Sequence, residues 1–226
     1  MRTLLLIMNP RQIPECVQAL EALTIDKAWL SNYTEAELVN VIADTIESTD
    51  YDRYALISDD TSPTQEALDL VLSLHDENPS GVACGWVNVD ECSTLTTFNP
   101  LPLVGDIPEP SAYSLTPYTE LLDLPTTPLR TYFHGMALVT MTRSMWQAYP
   151  FDVYGADRGG WASDYHQCIR LQADYVPIVT HKHAYIRHHK AVANQYDHSR
   201  PLLVGKHPQS IRFATVGNTP TPPQGA

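Results

Sequence analysis

Tyr54-Ala55-Leu56-Ile57-Ser58-Asp59-Asp60-Thr61-Ser62-Pro63 is the stretch that decides the fold. Four apolar residues make a short buried strand, and two acids end it. Thr64–His75 follows as a helix, with Leu68, Val71, Leu72 and His75 as its stripe. The same alternation extends toward the amino terminus. Thr3–Met8 is an apolar strand, and Pro14 opens a helix carrying Val17, Leu20 and Leu23. Ala28-Trp29-Leu30 is a second strand. Thr34 and Glu37 form a capping box for a helix over Glu35–Ser48, with Leu38, Ile42 and Ile46 on one face. Gly81–Val89 reads as a fourth strand. Strands alternating with helices predict an α/β fold with a mainly parallel sheet flanked by helices. In such sheets ligands bind beyond the carboxyl ends of the strands. Asn9, Asn32 and the pair Asp59-Asp60 all fall there, so polar groups line one edge where a nucleotide fits.

The second half is less regular. Residues 99–130 hold seven prolines and read as a long loop or lobe. Phe133–Thr140 is expected as a strand, Arg143–Ala148 as a short helix, and Gly155–Gly160 as a glycine-containing loop. Ala162–Gln172 is a helix, and Tyr175–Thr180 and His183–Ile186 are strand-like. Residues 1–213 are expected to form a single domain, with 214–226 as a flexible, Pro/Gly/Thr-rich tail.

Composition narrows the class. The chain has 226 residues, enough for a buried core, and its 43% hydrophobic content excludes wholesale disorder. No run approaches the roughly 20 apolar residues of a membrane span. Leu4–Met8 is too short for a signal peptide's apolar core, so a cytoplasmic protein is expected. Cys16, Cys84, Cys92 and Cys168 show no metal-ribbon spacing and read as buried or partly buried free thiols. The net charge of −12 is unevenly spread. Residues 1–150 carry 6 basic and 21 acidic side chains, a balance of −15; residues 151–226 carry 8 and 5, a balance of +3. Segment 180–213 holds six Lys/Arg, one Asp and six of the nine histidines, which suits either an anionic ligand or a solvated basic surface.

Three clusters are candidates for chemistry. Adjacent carboxylates at Asp59 and Asp60 repel, and a hard divalent cation such as Mg²⁺ or Mn²⁺ relieves that cost. The alternative is an exposed turn in which Asp60 caps the next helix. Asp164, in the first turn of the 162–172 helix, is either a helix-start residue favoured by the dipole or a general base. Trp161 beside it suits stacking on a sugar or base, or a place in the core. His181, His183, His188 and His189 crowd into nine residues, which suggests a metal or phosphate site as well as structural roles.

Together these stretches resemble a known family. Ala55–Pro63 is followed by His134-Gly135-Met136-Ala137-Leu138-Val139 and by Met145–Phe151-Asp152. Next come Trp161-Ala162-Ser163-Asp164, leading to Ile169–Tyr175, and Ala184-Tyr185-Ile186-Arg187-His188-His189. In order and spacing over about residues 3–190 this is similar to the GT-A nucleotide-sugar glycosyltransferases, and among them to the large inverting family 2. The resemblance implies a GT-A-like fold, a UDP-sugar or other nucleotide-sugar donor, and Mn²⁺ or Mg²⁺. It divides the chain into a donor-binding half (1–98), the proline-rich acceptor-side loop (99–130) and an acceptor and catalytic half (131–213).

Residue by residue, the resemblance makes Asp60 the metal ligand of the acidic cluster and Asp59 its middle member. His188 or His189 completes the metal shell, and Asp164 is the base that deprotonates the acceptor hydroxyl. Asn9, Asn32 and Trp161 take positions on the donor side. Ser58 stands where the family carries its first acid, and Ser163 where it carries an acidic neighbour of the base. Compact enzymes of this type occur in bacteria and phages, where acceptors include modified DNA bases and virion or cell-surface components; the basic 180–213 segment permits DNA. Two other readings stand beside it. One is a non-catalytic module that binds sugar nucleotide or glycan. The other is a metal-dependent nucleotidyltransferase on a similar sheet, although no glycine-rich phosphate loop is present.

Overall fold

The computed structural model describes residues 1–9, 12–88, 94, 96–101, 116–152, 163–189 and 208–216, with the side chains of Asn9, Glu35 and Tyr118 outside that description. The first half runs β1 (Thr3–Asn9), α1 (Pro14–Ala22), β2 (Asp26–Ser31), α2 (Glu35–Ser48), β3 (Arg53–Ser58), β4 (Thr61–Pro63), α3 (Gln65–Glu77) and β5 (Val82–Cys84). The second half runs α4 (Tyr118–Asp123), β6 (Leu129–Thr131), β7 (Val139–Thr142), α5 (Arg143–Ala148), α6 (Ser163–Ala173), β8 (Ile178–Thr180), β9 (Ile186–His188) and β10 (Ser210–Ala214).

The result is an α/β architecture with a mostly parallel central sheet. Eight strands lie in the order β10-β2-β1-β3-β7-β5-β8-β6, and β4 and β9 form a separate two-stranded sheet. β1 pairs in parallel with β2 and β3, and β5 pairs in parallel with β8, while β10, β7 and β6 run antiparallel to their neighbours. Alternation along the strands separates two core layers. Leu5, Ile7, Ala55 and Ile57 pack with α1 and α3 on one face. Leu4, Leu6, Tyr54 and Leu56 pack with α2, Trp146 of α5 and Cys168 of α6 on the other.

Local signals set several boundaries. In α2 the Thr34 hydroxyl accepts the Glu37 N–H at 3.2 Å, and Glu37 Oε2 accepts the Thr34 N–H at 2.8 Å. Such a capping box adds about 1 kcal/mol and fixes the entry of the helix. Thr64 likewise caps α3 through the Ala67 N–H. Cys16, Cys84 and Cys168 are buried thiols, as expected, while Cys92 lies outside the described residues.

Other expectations are corrected. The strand expected over Phe133–Thr140 begins only at Val139. Gly135, Met136 and Leu138 all have left-handed φ (55°, 50° and 73°), so the preceding segment turns instead of extending. β5 stops at Cys84, short of the expected Val89. At Gly85 the chain passes so close to its neighbours that a Cβ would stand 2.8 Å from the Ala137 carbonyl oxygen. β8 begins at Ile178, because Tyr175, at φ 59°, still belongs to the turn leaving α6. The strand expected over His183–Ile186 is displaced to Ile186–His188. α4 and the first two residues of β6 lie within the stretch expected as a loop, and β4 and β10 have no counterpart in the sequence reading. β10 carries the paired chain to Ala214, one residue into the expected tail, and the Val216 N–H then donates to Asp26 Oδ1 at 2.8 Å. Residues 217–226 lie outside the described residues.

Candidate functional site

The acidic turn grows from the carboxyl end of β3. Ser58, the last residue of β3, is held in the sheet opposite Met8. Its carbonyl accepts the Thr61 hydroxyl at 2.9 Å, closing the turn that carries Asp59 and Asp60. The chain then enters β4, which pairs antiparallel with β9 in the register Thr61↔His188, Ser62↔Arg187, Pro63↔Ile186. The His189 N–H donates to the Asp60 carbonyl at 2.7 Å and extends that ladder by one bond. Trp86 holds the other side of this segment: its N–H donates to Ala184 O, and its carbonyl accepts the Ile186 N–H. Two stretches more than 120 residues apart in sequence therefore meet at the acidic turn.

Successive residues of a strand point to opposite faces, so the two histidines separate. His188 goes with the Asp60 carboxylate: its Nε2 lies 3.4 Å from Asp60 Oδ2. Its Nδ1 lies 2.8 Å from the Asn88 carbonyl oxygen. A carbonyl only accepts, so Nδ1 carries a proton; Nε2 then either donates to Asp60 Oδ2 in the charged ring, as an ion pair, or offers its lone pair in the neutral one. His189 points the other way, and its Nε2 meets the buried Ser62 hydroxyl at 2.8 Å. Burial, helped by Arg187, holds His189 below the ordinary imidazole value. Asp60 Oδ1 in turn accepts the Ser58 hydroxyl at 2.5 Å.

Two facing acceptors repel unless a proton or a metal cation lies between them. The donor set, one carboxylate oxygen and one neutral imidazole nitrogen, suits Mn²⁺ and tolerates Mg²⁺. A backbone carbonyl on the remote ring nitrogen is also the usual support of a metal-binding histidine. Among the described residues no three His, Cys, Asp or Glu side chains converge on one point, so a cation here takes its remaining ligands from water or from a substrate's oxygens.

Asp164 opens α6 at the same edge of the sheet. α6 leads by a short turn into β8, which lies parallel to β5, so its first helical turn faces the carboxyl ends of those strands. Asp164 Oδ1 accepts the Tyr165 N–H at 2.8 Å, yet burial pushes its carboxyl up to about 6. The start of α6 is fixed from below by His134. That ring is buried and accepts the Met136 N–H on Nδ1, so its Nε2–H donates to Gln167 Oε1 at 2.9 Å. The Gln167 amide in turn donates to the Tyr149 carbonyl. Burial drives His134 down to about 4, so it stays neutral.

The remaining expected site residues are placed as follows. Asp59 is buried in the acidic turn. Asn32, at φ 65°, is buried at the end of β2. Its side chain accepts from Gln12 at 2.7 Å and donates to the Pro208 carbonyl at 2.8 Å, tying together the segments that follow β1 and precede β10. Asn9 ends β1 opposite Ser31. Trp161 lies outside the described residues. His181 and His183 lie before β9: His181 Nδ1 accepts the His183 N–H at 3.1 Å, and neither residue joins Asp60 in the way His188 does. The sequence reading missed the Asn88 carbonyl, Ser62 and the His134–Gln167 pair. A backbone carbonyl has no residue signature, and the two side-chain pairs are created only by the tertiary contact.

No family model and no curated protein matches this sequence. Among solved structures, A197 from STIV is similar over 80% of this chain and 81% of its own, at 15% identity and a TM-score of 0.48. GalNAc-T7 with UDP, GalNAc and Mn²⁺ is similar over 82% of this chain at 7% identity and a TM-score of 0.46, and the match spans 43% of that protein. Among the described residues no helix is long and apolar enough to cross a membrane.

Proposed function

We propose that this chain is a metal-dependent glycosyltransferase, moving a sugar from a nucleoside diphosphate donor to an acceptor hydroxyl. The observation that carries the reading is the opposed pair Asp60 Oδ2 and His188 Nε2, 3.4 Å apart, with the His188 tautomer fixed by Asn88. Asp60 and His188 would hold Mn²⁺ or Mg²⁺, and the bound cation would neutralise charge on the leaving diphosphate. His189, engaged with Ser62, braces β4 against β9.

Asp164 is the base. With a carboxyl near 6 it is ionised at pH 7, yet it binds a proton more readily than an ordinary aspartate. It takes the proton of the acceptor hydroxyl as that oxygen attacks the sugar carbon from the side opposite the diphosphate, which inverts the configuration. Asn9 and Trp161 are donor contacts in this reading, while the buried Asn32 and Asp59 shape the donor side of the edge.

Thermal melts with a panel of UDP- and GDP-sugars, with and without Mn²⁺, test this. A donor at about a hundredfold excess over its dissociation constant should raise the melting temperature by roughly 5 °C or more, and only with the metal present. Asp60→Ala should remove the metal dependence. Stabilisation by a donor with no sugar transfer or donor hydrolysis would point to a binding module. No stabilisation by any donor would overturn the proposal.

A further inference from the structure

We propose that Ser58 is a positioning residue for the Asp60 carboxylate, fixing which of its oxygens meets the cation. The inference rests on the metal-site reading above. Ser58 is anchored in the central sheet at its register opposite Met8, so its hydroxyl is presented from a rigid strand end. That hydroxyl donates to Asp60 Oδ1 at 2.5 Å, while Oδ2 faces His188 Nε2 at 3.4 Å. The Ser58 carbonyl accepts the Thr61 hydroxyl, which closes the turn around the carboxylate. With Oδ1 held by Ser58, rotation about the carboxylate bond is stopped and Asp60 offers the cation a single oxygen. An acid at position 58 would repel Asp60 and add a second negative ligand; serine steadies the carboxylate it has.

The test measures Mn²⁺ binding without any sugar donor, by the loss of the free-ion EPR signal on titration. Five proteins are compared: the parent chain, Asp60→Asn, Ser58→Ala, and the pair Ser58→Thr and Ser58→Val. The last two have the same shape and differ in the hydroxyl, so they carry the comparison if Ser58→Ala melts early. Loss of an outer-shell hydrogen bond of this kind weakens metal binding by about 10- to 100-fold. Ser58→Ala and Ser58→Val should therefore raise the Mn²⁺ dissociation constant at least about tenfold. Ser58→Thr should stay within about twofold of the parent, because a purely steric role for residue 58 would not separate Thr from Val. If Asp60→Asn weakens Mn²⁺ binding but Val and Thr bind alike, the role of Ser58 is overturned and the metal site stands. If the parent and Asp60→Asn are indistinguishable, the metal site itself is wrong, and the proposal falls with it.

Discussion

The two ends of β3 solve opposite electrostatic problems. At its amino end Arg53 is almost fully buried, and every contact it makes suits a cation. Its Nε donates to the Thr3 hydroxyl at 2.8 Å, and its NH1 donates to the Leu72 carbonyl at 2.9 Å and to Asp76 Oδ1 at 2.8 Å. At the carboxyl end Asp60 Oδ2 faces His188 Nε2 at 3.4 Å, and the other ring nitrogen meets the Asn88 carbonyl. The first end is complete within the protein. The second brings a carboxylate oxygen and an imidazole nitrogen together, joined by a proton or, in the proposed function, by a metal cation. In the proposed function a strand only six residues long has one end built for stability and the other for a ligand, and substitutions at the two ends should separate those properties.

The largest expected effect is at the ligand end. Asp164→Asn removes the proposed base while keeping shape, and transfer should fall about a thousandfold with donor affinity within about twofold. In the parent the rate should fall tenfold per pH unit below about 6, because only the ionised carboxylate accepts the proton. The folded protein holds this proton up to about 6, whereas an unfolded aspartate releases it near 3.8. Its contribution to stability is therefore present below pH 4 and lost as pH rises through 6. The uncharged variant escapes that loss, so at pH 7 it should melt higher than the parent, by an amount on the order of 1–2 kcal/mol. A variant that loses activity and melts lower would argue for a damaged fold instead of a missing base.

The next effect belongs to the structural end. Arg53→Met deletes the guanidinium and leaves the Thr3 hydroxyl and Leu72 carbonyl without their donor. Breaking a fully buried pair costs about 3–5 kcal/mol. Asp76 is half exposed and can rehydrate, so a loss of about 2–3 kcal/mol in urea unfolding is expected. Mn²⁺ affinity should not change. Neutral stability, or a parallel loss of metal binding, would show that the two ends are not independent.

The contrast also explains what the sequence reveals. α2 was legible to the residue because a capping box and a helical stripe are local. The three-residue strands β4 and β9 were not, since each is a strand only because the other is there. The segment before β7 read as a strand from its apolar content, yet three left-handed residues turn it, and only one of them is glycine. β10 gave no signal because Ile211 and Phe213 are exposed and leave no buried face to pattern. At the candidate site, Asp60, Asp164 and the histidine pair were named from type and order alone. Which histidine faces Asp60 is shown only by the side-chain contact across the turn, and the partner of its other ring nitrogen is a backbone carbonyl that no sequence displays.

The smallest effect compares two buried histidines, one beside each end. His75 in α3 is fully buried near Arg53, and among the described residues neither ring nitrogen has a hydrogen-bond partner. Burial first and Arg53 second hold it down to about 4, with Asp76 opposing. His134, also near 4, uses both nitrogens to hold the turn before β7 against α6. For both, the unfolded chain takes up a proton near 6.5 that the folded chain refuses until about 4. Stability therefore falls as pH drops through that window, by up to about 1.4 kcal/mol per unit for each ring. His75→Phe discards an unbonded polar ring from an apolar site. At pH 7 it should be neutral or gain up to about 1 kcal/mol, and part of the acid slope should disappear. His134→Phe also flattens the slope but leaves the Gln167 carboxamide and the Met136 N–H without their partner, so at pH 7 it should lose about 1–3 kcal/mol. Urea melts at pH 7 and pH 5 separate the two: equal costs at pH 7 would mean that the His134 bonds do not organise the start of α6, and that the ligand end has no more internal order to lose than the structural one.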